Sequence, residues 1–291
     1  MKENQKEERL SAELRRSFIA LSESNGQRQG ESRWLDNITR LHELVMSEEP
    51  KEFLQWDVIK RTMEVGDADY IETELNFLKN QKDWSRWERG ISEVSAGKPT
   101  LSSVYPKSSG NLIHHAYHVA QFENITAEKI NDVDCIFEFG GGYGGMYRLM
   151  CNIGFKGKYI IFDFPEFSLL QQYFIKSIGL KTHTIETFKN ATDGVICISD
   201  INVLHDVISN HISSDNNMFL ATWSLSECPV ELRTEILSLV ADFKKFLIAY
   251  QGRFEGTDNS KYFNDWITQQ QKTHWTTQMI EHIPNEFYQN N

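Results

Sequence analysis

The stretch Ile136-Phe137-Glu138-Phe139-Gly140-Gly141-Gly142-Tyr143-Gly144-Gly145 decides how the rest of the chain reads. Cys135 to Phe139 has the apolar pattern of a buried strand, interrupted by Glu138. Gly140 to Gly145 form a turn rich in glycine, and Met146 to Ile153 has helical spacing. A strand feeding a glycine turn and then a helix presents bare backbone N–H groups at a helix N-terminus. Without Cβ atoms, a ligand can approach that backbone closely.

Outward from this stretch the pattern repeats. Lys158 to Phe164 reads as a second strand, and Pro165 suits the first turn of a helix running to Ile178. Lys181 to Glu186 reads as a third strand and Met218 to Leu225 as a fourth, followed by a helix from Pro229 to about Ala241. Phe246 to Tyr250 is a fifth. Trp275 to His282 and Glu286 to Tyr288, joined by the turn pair Pro284-Asn285, form a closing hairpin. Strands alternating with helices predict an α/β fold: a doubly wound, mostly parallel sheet with an antiparallel edge and helices on both faces. The first 130 residues differ. Apolar residues recur at three- and four-residue steps over Leu10–Leu21, Trp34–Val45, Phe53–Met63, Tyr70–Leu78 and Trp84–Val94. Gly26, Gly30, Pro50, Gly66-Asp67 and Gly97-Lys98-Pro99 separate these helices, and Asn111–Phe122 reads as one more amphipathic helix. The expected organisation is an all-helical region over 1–130 and a Rossmann-like domain over 131–291.

A chain of 291 residues with 40% hydrophobic and 24% charged residues can bury a substantial core. Its net charge of −11 argues against nucleic acid or an anionic membrane as the main partner, since both need a clustered positive field. No apolar run approaches a membrane span, and the charged start Met1–Arg9 lacks the apolar core of a secretory signal. Cys135, Cys151, Cys197 and Cys228 are scattered without metal-ligand spacing, as expected of buried thiols in a reducing cytoplasm. A homo-oligomer stays open.

Two fingerprints overlap in the glycine loop. Gly140, Gly142 and Gly145 satisfy G-x-G-x-x-G, the dinucleotide pattern of an NAD(P)-dependent oxidoreductase. Glu138, Gly140, Gly142 and Gly144 satisfy E-x-G-x-G-x-G, which resembles the first motif of class I S-adenosylmethionine (SAM)-dependent methyltransferases. Glu138 discriminates: a sulfonium and an α-amino group favour a nearby carboxylate, which a dinucleotide does not need. Asp163 follows Gly144 by 19 residues at the end of the second strand, where an acid can accept from ribose hydroxyls. The segments FEFGGGYGGM, YIIFDFPEFSLLQQYFI, FLATWSLSECP and FLIAYQ together resemble the sugar O-methyltransferase family of bacterial polysaccharide gene clusters, over about residues 100–291.

The resemblance implies a seven-stranded methyltransferase sheet and a cytoplasmic enzyme that uses SAM, releases S-adenosylhomocysteine and takes a small-molecule or glycan acceptor. Gly140, Gly142 and Gly144 would line the methionine end, with Glu138 supporting the loop or the amino group. Asp163 would hold the ribose and Phe164 would pack on the adenine. Asp200 and Ile201, after the apolar run VICIS, would serve the adenine, with Glu186 competing for that role. Trp223 and Ser224 would face the transfer site. A non-catalytic partner protein that keeps the fold as a scaffold is a third reading, against which the intact glycine loop and Asp163 argue.

Methyl transfer to a hydroxyl needs alignment and often a base, and histidine is suited to that near neutral pH. His114, His115 and His118 fall within five positions just upstream of the glycine strand, with 114 and 118 one helical turn apart. No third metal ligand is evident beside them, so no metal is expected. Glu227, beyond the fourth strand, is the alternative base. His205 in Leu204-His205-Asp206 imitates a catalytic segment of plant-type O-methyltransferases but precedes the fourth strand, so it reads as a surface histidine. The expected acceptor pocket lies between the N-terminal helices and the ends of the first and fourth strands, lined by His115, His118, Trp223 and Glu227. The aromatic tail residues Tyr262, Phe263, Trp266 and Trp275 fit the last layer of the core, or a stacking platform for a sugar.

Overall fold

Leu10, Leu14 and Phe18 recur at one-turn spacing, giving the first helix, α1 (Lys2–Ser24), one apolar face that is buried. In the computed structural model, which describes residues 2–24, 32–212, 215–270, 275–283 and 286–291, that face meets the helix Pro165–Ser177 of the α/β part. Next come α2 (Ser32–Ser47), a 3₁₀ turn (Pro50–Gln55), α3 (Asp57–Met63), α4 (Ile71–Lys79) and α5 (Trp84–Gly90). The single helix expected over Phe53–Met63 is thus two pieces, because Trp56 is extended (φ −67°, ψ 141°). α5 stops before Val94. At its last residue, Gly90, a Cβ would stand 2.5 Å from Ile153.

α6 (Gly110–Thr126) is not amphipathic. Leu112, Ile113, Val119 and Phe122 are buried, and so are His114, His118 and Glu123 on other faces. It lies between α4 and α5 on one side and the α/β part on the other, so most of it is buried, and Asn124 in its last turn is exposed.

The strands are β1 (Cys135–Phe139), β2 (Lys158–Phe162), β3 (Gly194–Ile198), β4 (Asn217–Thr222), β5 (Lys245–Gln251), a two-residue hairpin β6 (Arg253–Phe254) and β7 (Thr257–Asp258), then β8 (Thr276–Met279) and β9 (Glu286–Asn290). Among the described residues they form a seven-stranded sheet of order β3-β2-β1-β4-β5-β9-β8, with β6 and β7 apart. β1 to β5 are parallel, and β9 and β8 antiparallel. The expected fold class stands. The closing hairpin also forms, with its second strand inserted beside β5; Pro284-Asn285 and the separators Gly26 and Gly30 lie outside the described residues.

Helices α7 (Gly145–Ile153), α8 (Pro165–Ser177), α9 (Ile185–Phe188), α10 (Ile201–His211), α11 (Ser224–Glu227), α12 (Val230–Leu239) and α13 (Asn259–Gln269) complete the elements among the described residues. Strand alternation splits the core into two layers. Ile136, Tyr159, Ile161, Met218 and Leu247 join the N-terminal helices, α6, α7 and α8. Phe137, Ile160, Ile196, Phe219 and Ile248 pack with α10, α12 and Phe263 of α13.

The third strand departs from expectation. Within Lys181–Glu186 only Thr182 makes an isolated bridge, to Val195, before α9 begins. The strand is the VICIS run, because a sheet covered on both faces needs a continuous apolar segment. α10 is the surface helix that carries His205, whereas α13 has no counterpart in the sequence pattern; the side chains of Asp200 and Asp258 cap their first turns. β4 ends at Thr222 rather than Leu225, since Trp223 turns at φ +63° into α11.

Candidate functional site

The strand order reverses direction between β1 and β4, which opens a crevice at the carboxyl ends of the strands. One half of this edge belongs to β1, β2 and β3. Gly140 has φ +72°, and a Cβ there would lie 2.2 Å from the Ser224 Cβ, so no larger residue fits. Its N–H donates to Phe162 O at 2.8 Å, tying the loop to β2. Gly142, at φ +55°, donates its N–H to Asp163 Oδ2 at 3.1 Å, and its would-be Cβ faces Met63 Sδ at 3.3 Å. Met63 is thus a roof over the loop, pinned by Asn111, whose Nδ2 donates to Met63 O and whose Oδ1 accepts from Val65 N at 2.6 Å.

Asp163 also accepts from Phe164 N at 2.8 Å and from Gln171 Nε2 at 3.0 Å, and Gln171 Nε2 reaches Gly142 O at 2.9 Å. Burial pushes the Asp163 carboxyl up to about 7, against the pull of these hydrogen bonds. Its partners are donors from the loop and from α8, and an ionised carboxylate here has capacity for a further donor. Phe164 is 41% exposed, an aromatic face beside Trp34 at 5.8 Å.

Other residues expected in this half have settled roles. Glu138 shares the face of Ile136, is 3% exposed, and accepts from Tyr159 Oη at 2.9 Å. Burial raises its carboxyl to about 8. It lies under the loop, its Oε2 3.1 Å from where a Gly141 Cβ would be, so it supports the loop. Gly144 has φ +91°, caps α7 and faces Ile175 of α8 rather than the crevice. Asp200 Oδ1 accepts from Asn202 N at 2.7 Å and Val203 N at 3.2 Å, and Ile201 begins α10 beyond the end of β3. Glu186 is exposed on α9 and ends no strand, so it no longer competes with Asp200. Ser224 donates its hydroxyl to Phe139 O, which makes it a clamp between β4 and the glycine loop.

The other half of the edge belongs to β4, β5 and β9, and is built from three distant parts of the chain. Glu74 of α4 is fully buried. His114 Nδ1 lies 2.7 Å from its Oε1 and 2.9 Å from its Oε2, and His282 Nε2 is 3.0 Å from Oε1. His118 Nε2 sits 3.1 Å from His114 Nε2. A ring nitrogen facing a carboxylate carries the proton, so a neutral His114 offers a lone pair at Nε2 and His118 donates to it. His118 Nδ1 is then buried without a hydrogen-bond partner. Burial would raise the Glu74 carboxyl, but the two imidazoles reverse this and hold it below the usual range. His118 is driven well below the usual histidine value by burial and then by His114.

Trp223 lids this cluster. Its ring stacks on His114 at 4.7 Å and 21° and meets His118 edge-on at 4.7 Å. Its unusual backbone angle is held by an N–H donated to Ala249 O at 2.7 Å. Glu286, opposite Gln251 at the start of β9, is hydrogen-bonded to Trp223. Burial raises its carboxyl, and the Glu74 and Glu227 charges add to the rise. Glu227 accepts from Gln251 Nε2 at 3.0 Å.

The expected acceptor lining is therefore assembled in part. His118, Trp223 and Glu227 surround this cluster. His118, however, is completely buried beneath Trp223 and Tyr288, so it cannot meet an acceptor directly. His115 lies next to the cluster without a bond to it: its Nδ1 has no partner, and burial, then His114, push it down to about 3. His205 sits on the surface of α10, 3.1 Å from Glu235, as its sequence position suggests. Of the tail aromatics, Phe263 is buried against Tyr250, and Trp266 and Trp275 pack on Phe246, which is the core role. Sequence reasoning missed Glu74, His282, Glu286, Gln171 and Met63. One signal existed for Glu74: it interrupts the buried stripe Ile71, Leu75 and Leu78 on α4.

No protein-family model and no curated protein matches the chain. Solved structures that resemble it include M. capricolum TrmK with S-adenosylhomocysteine (10% identity, TM-score 0.37, covering 58% of this chain and 66% of that one). Magnesium protoporphyrin IX methyltransferase from Synechocystis PCC 6803 with bound SAM gives 10% identity and TM-score 0.41, covering 76% and 96%. The SAH-bound Podospora anserina methyltransferase PaMTH1 gives 8% and 0.37, covering 91% and 98%. At these values the likeness carries no argument about activity, and the fold rests on the strand order itself.

Proposed function

We propose that this protein is a SAM-dependent methyltransferase that acts on a hydroxyl of a small polar acceptor, a sugar or a sugar-containing precursor. The observation that carries the reading is the Gly142–Asp163 pair. A glycine at positive φ and an acid at the end of β2 share one hydrogen bond, at the switch point where the fold binds ligands.

The residues fit the cofactor. Ionised Asp163 would accept from ribose hydroxyls, Phe164 would offer its exposed face to the adenine, Ile201 would cover the ring from the start of α10, and the glycine loop would receive the amino-acid end. When bound, SAM supplies an electrophilic methyl group on a sulfonium. The chain's own task is to align the acceptor, exclude water and remove a proton. Met63 and the helical region roof the crevice, which supports water exclusion. Glu227 and Glu286 are acceptors suited to sugar hydroxyls. Together with Glu74 their charge disfavours a phosphate, so a neutral sugar suits this half better than a nucleotide-linked one.

The test is a thermal-shift titration with S-adenosylhomocysteine, NAD(H) and NADP(H), followed by transfer of labelled methyl from SAM to neutral and phosphorylated sugars. Stabilisation by S-adenosylhomocysteine and labelling of neutral sugars are expected. Stabilisation by a nicotinamide nucleotide alone would make the protein an oxidoreductase. Binding without turnover on any hydroxylated acceptor would favour the scaffold reading.

A further inference from the structure

We infer that His282 takes the acceptor's proton, and that Glu74 is the positioning carboxylate that orients and charges it, with His114 and His118 fixed behind. This rests on the methyl-transfer reading above. Within the bonded chain His118–His114–Glu74–His282, exposure falls on one member. The side chains of Glu74 and His114 are 0% and 2% exposed and that of His282 is 16% exposed, while His118 is fully buried.

The tautomers follow from the bonds. His282 Nε2 faces Glu74 Oε1 at 3.0 Å, so Nε2 carries the proton and Nδ1 holds the lone pair. Glu74 spends both oxygens on imidazoles, so it keeps its charge and neighbours a developing imidazolium. His282 lies in the turn just before β9, at the carboxyl edge of the sheet, since β9 is antiparallel to β5 and Glu286 pairs with Gln251. Trp223 and Glu286 stand at the same edge.

The remaining groups around His282 are compatible with a base. Tyr70 and Tyr117 flank its ring at 6.0 and 5.0 Å, and burial raises both phenols, so they stay neutral. His118 is held neutral by its burial, and Glu281 and Glu286 add negative charge near Tyr117 and Tyr70. In the step, the hydroxyl oxygen bonds to the methyl carbon as the carbon–sulfur bond breaks and the sulfonium becomes a thioether. The hydroxyl proton passes to His282 Nδ1 and from there to water.

The test uses the full chain as wild type, H282Q, E74Q and E74D. Imidazole ¹⁵N spectra need no acceptor: His282 is expected as the Nε2–H tautomer, with that preference weakened in E74Q and restored in E74D. An Nδ1–H tautomer, or a tautomer ratio indifferent to E74Q, would overturn the pair. With labelled SAM and methyl hexopyranosides as acceptors, H282Q should lower kcat by about 10²–10⁴-fold and leave S-adenosylhomocysteine affinity within twofold. E74Q should lower kcat and move its acid limb to lower pH, because an imidazolium without its carboxylate loses its proton more easily. An H282Q rate near wild type would overturn the proposal. Failure of the wild type to bind S-adenosylhomocysteine would instead strike the methyl-transfer reading, while the spectra still judge the pair.

Discussion

The two halves of the carboxyl edge are made in opposite ways. The half at β1 and β2 is local: Glu138 to Gly145, Asp163 and Gln171 fall within 34 residues, and a loop with its next strand sets their geometry. The half at β4, β5 and β9 is tertiary, since the Glu74–His282 bond joins residues 208 apart and Glu74–His114 residues 40 apart. Local geometry is suited to a cofactor held the same way each time. Tertiary geometry is set by the helical region and the closing hairpin; the helical region also touches the cradle, through Met63 over Gly142.

If that division is real, variants should separate cleanly. Gly140→Ala should do the most damage. It adds a Cβ into Ser224 at a left-handed backbone position, and strain plus overpacking should cost about 2–5 kcal/mol in urea unfolding and abolish S-adenosylhomocysteine binding. Asp163→Ala should weaken S-adenosylhomocysteine by about 2–3 kcal/mol through the loss of two ribose hydrogen bonds, read by calorimetry. Trp223→Ala should leave that affinity within threefold and lower turnover by roughly 10–100-fold, because His114 and His118 lose their cover. A large loss of cofactor affinity in Trp223→Ala would break the comparison.

Proton linkage sharpens it further. Folding raises Asp163 to about 7 and Glu138 to about 8, from unfolded values near 4. Between about pH 4 and those values the unfolded chain ionises both groups while the folded chain keeps them protonated. Stability of the unliganded protein should therefore fall as pH rises across that window. Thermal melts of Asp163→Asn and Glu138→Gln should show a shallower fall. Ribose hydroxyls need the ionised Asp163, so S-adenosylhomocysteine should bind with proton release at pH 6, and Asp163→Asn should remove that release. The smallest effect belongs to Ser224→Ala, which loses one hydrogen bond to Phe139 O, about 0.5–1.5 kcal/mol of stability.

The same division explains what the sequence made legible. The strand, glycine turn, helix and following acid of residues 135–178 are consecutive, so periodicity and turn chemistry reveal them. The third strand was missed because Lys181–Glu186 alternates in the manner of a half-exposed strand, whereas the covered strand Gly194–Ile198 is a plain apolar run. α6 read as amphipathic because a helix buried between two layers still shows apolar spacing, and its three histidines could not be sorted by sequence alone. His114, passed over in favour of its neighbours, is the one bonded to Glu74. His282 carried no local signal at all, since its partner lies on α4.

The proposed role of the Gly142–Asp163 cradle is to hold an adenosyl sulfonium cofactor. Isothermal titration of wild-type protein and Asp163→Ala with S-adenosylhomocysteine, beside NADH and NADPH, tests it most directly. One S-adenosylhomocysteine per chain is expected, weakened by about 2–3 kcal/mol in the variant, with no heat from either nicotinamide nucleotide. Binding of NADH or NADPH with no response to S-adenosylhomocysteine would contradict it.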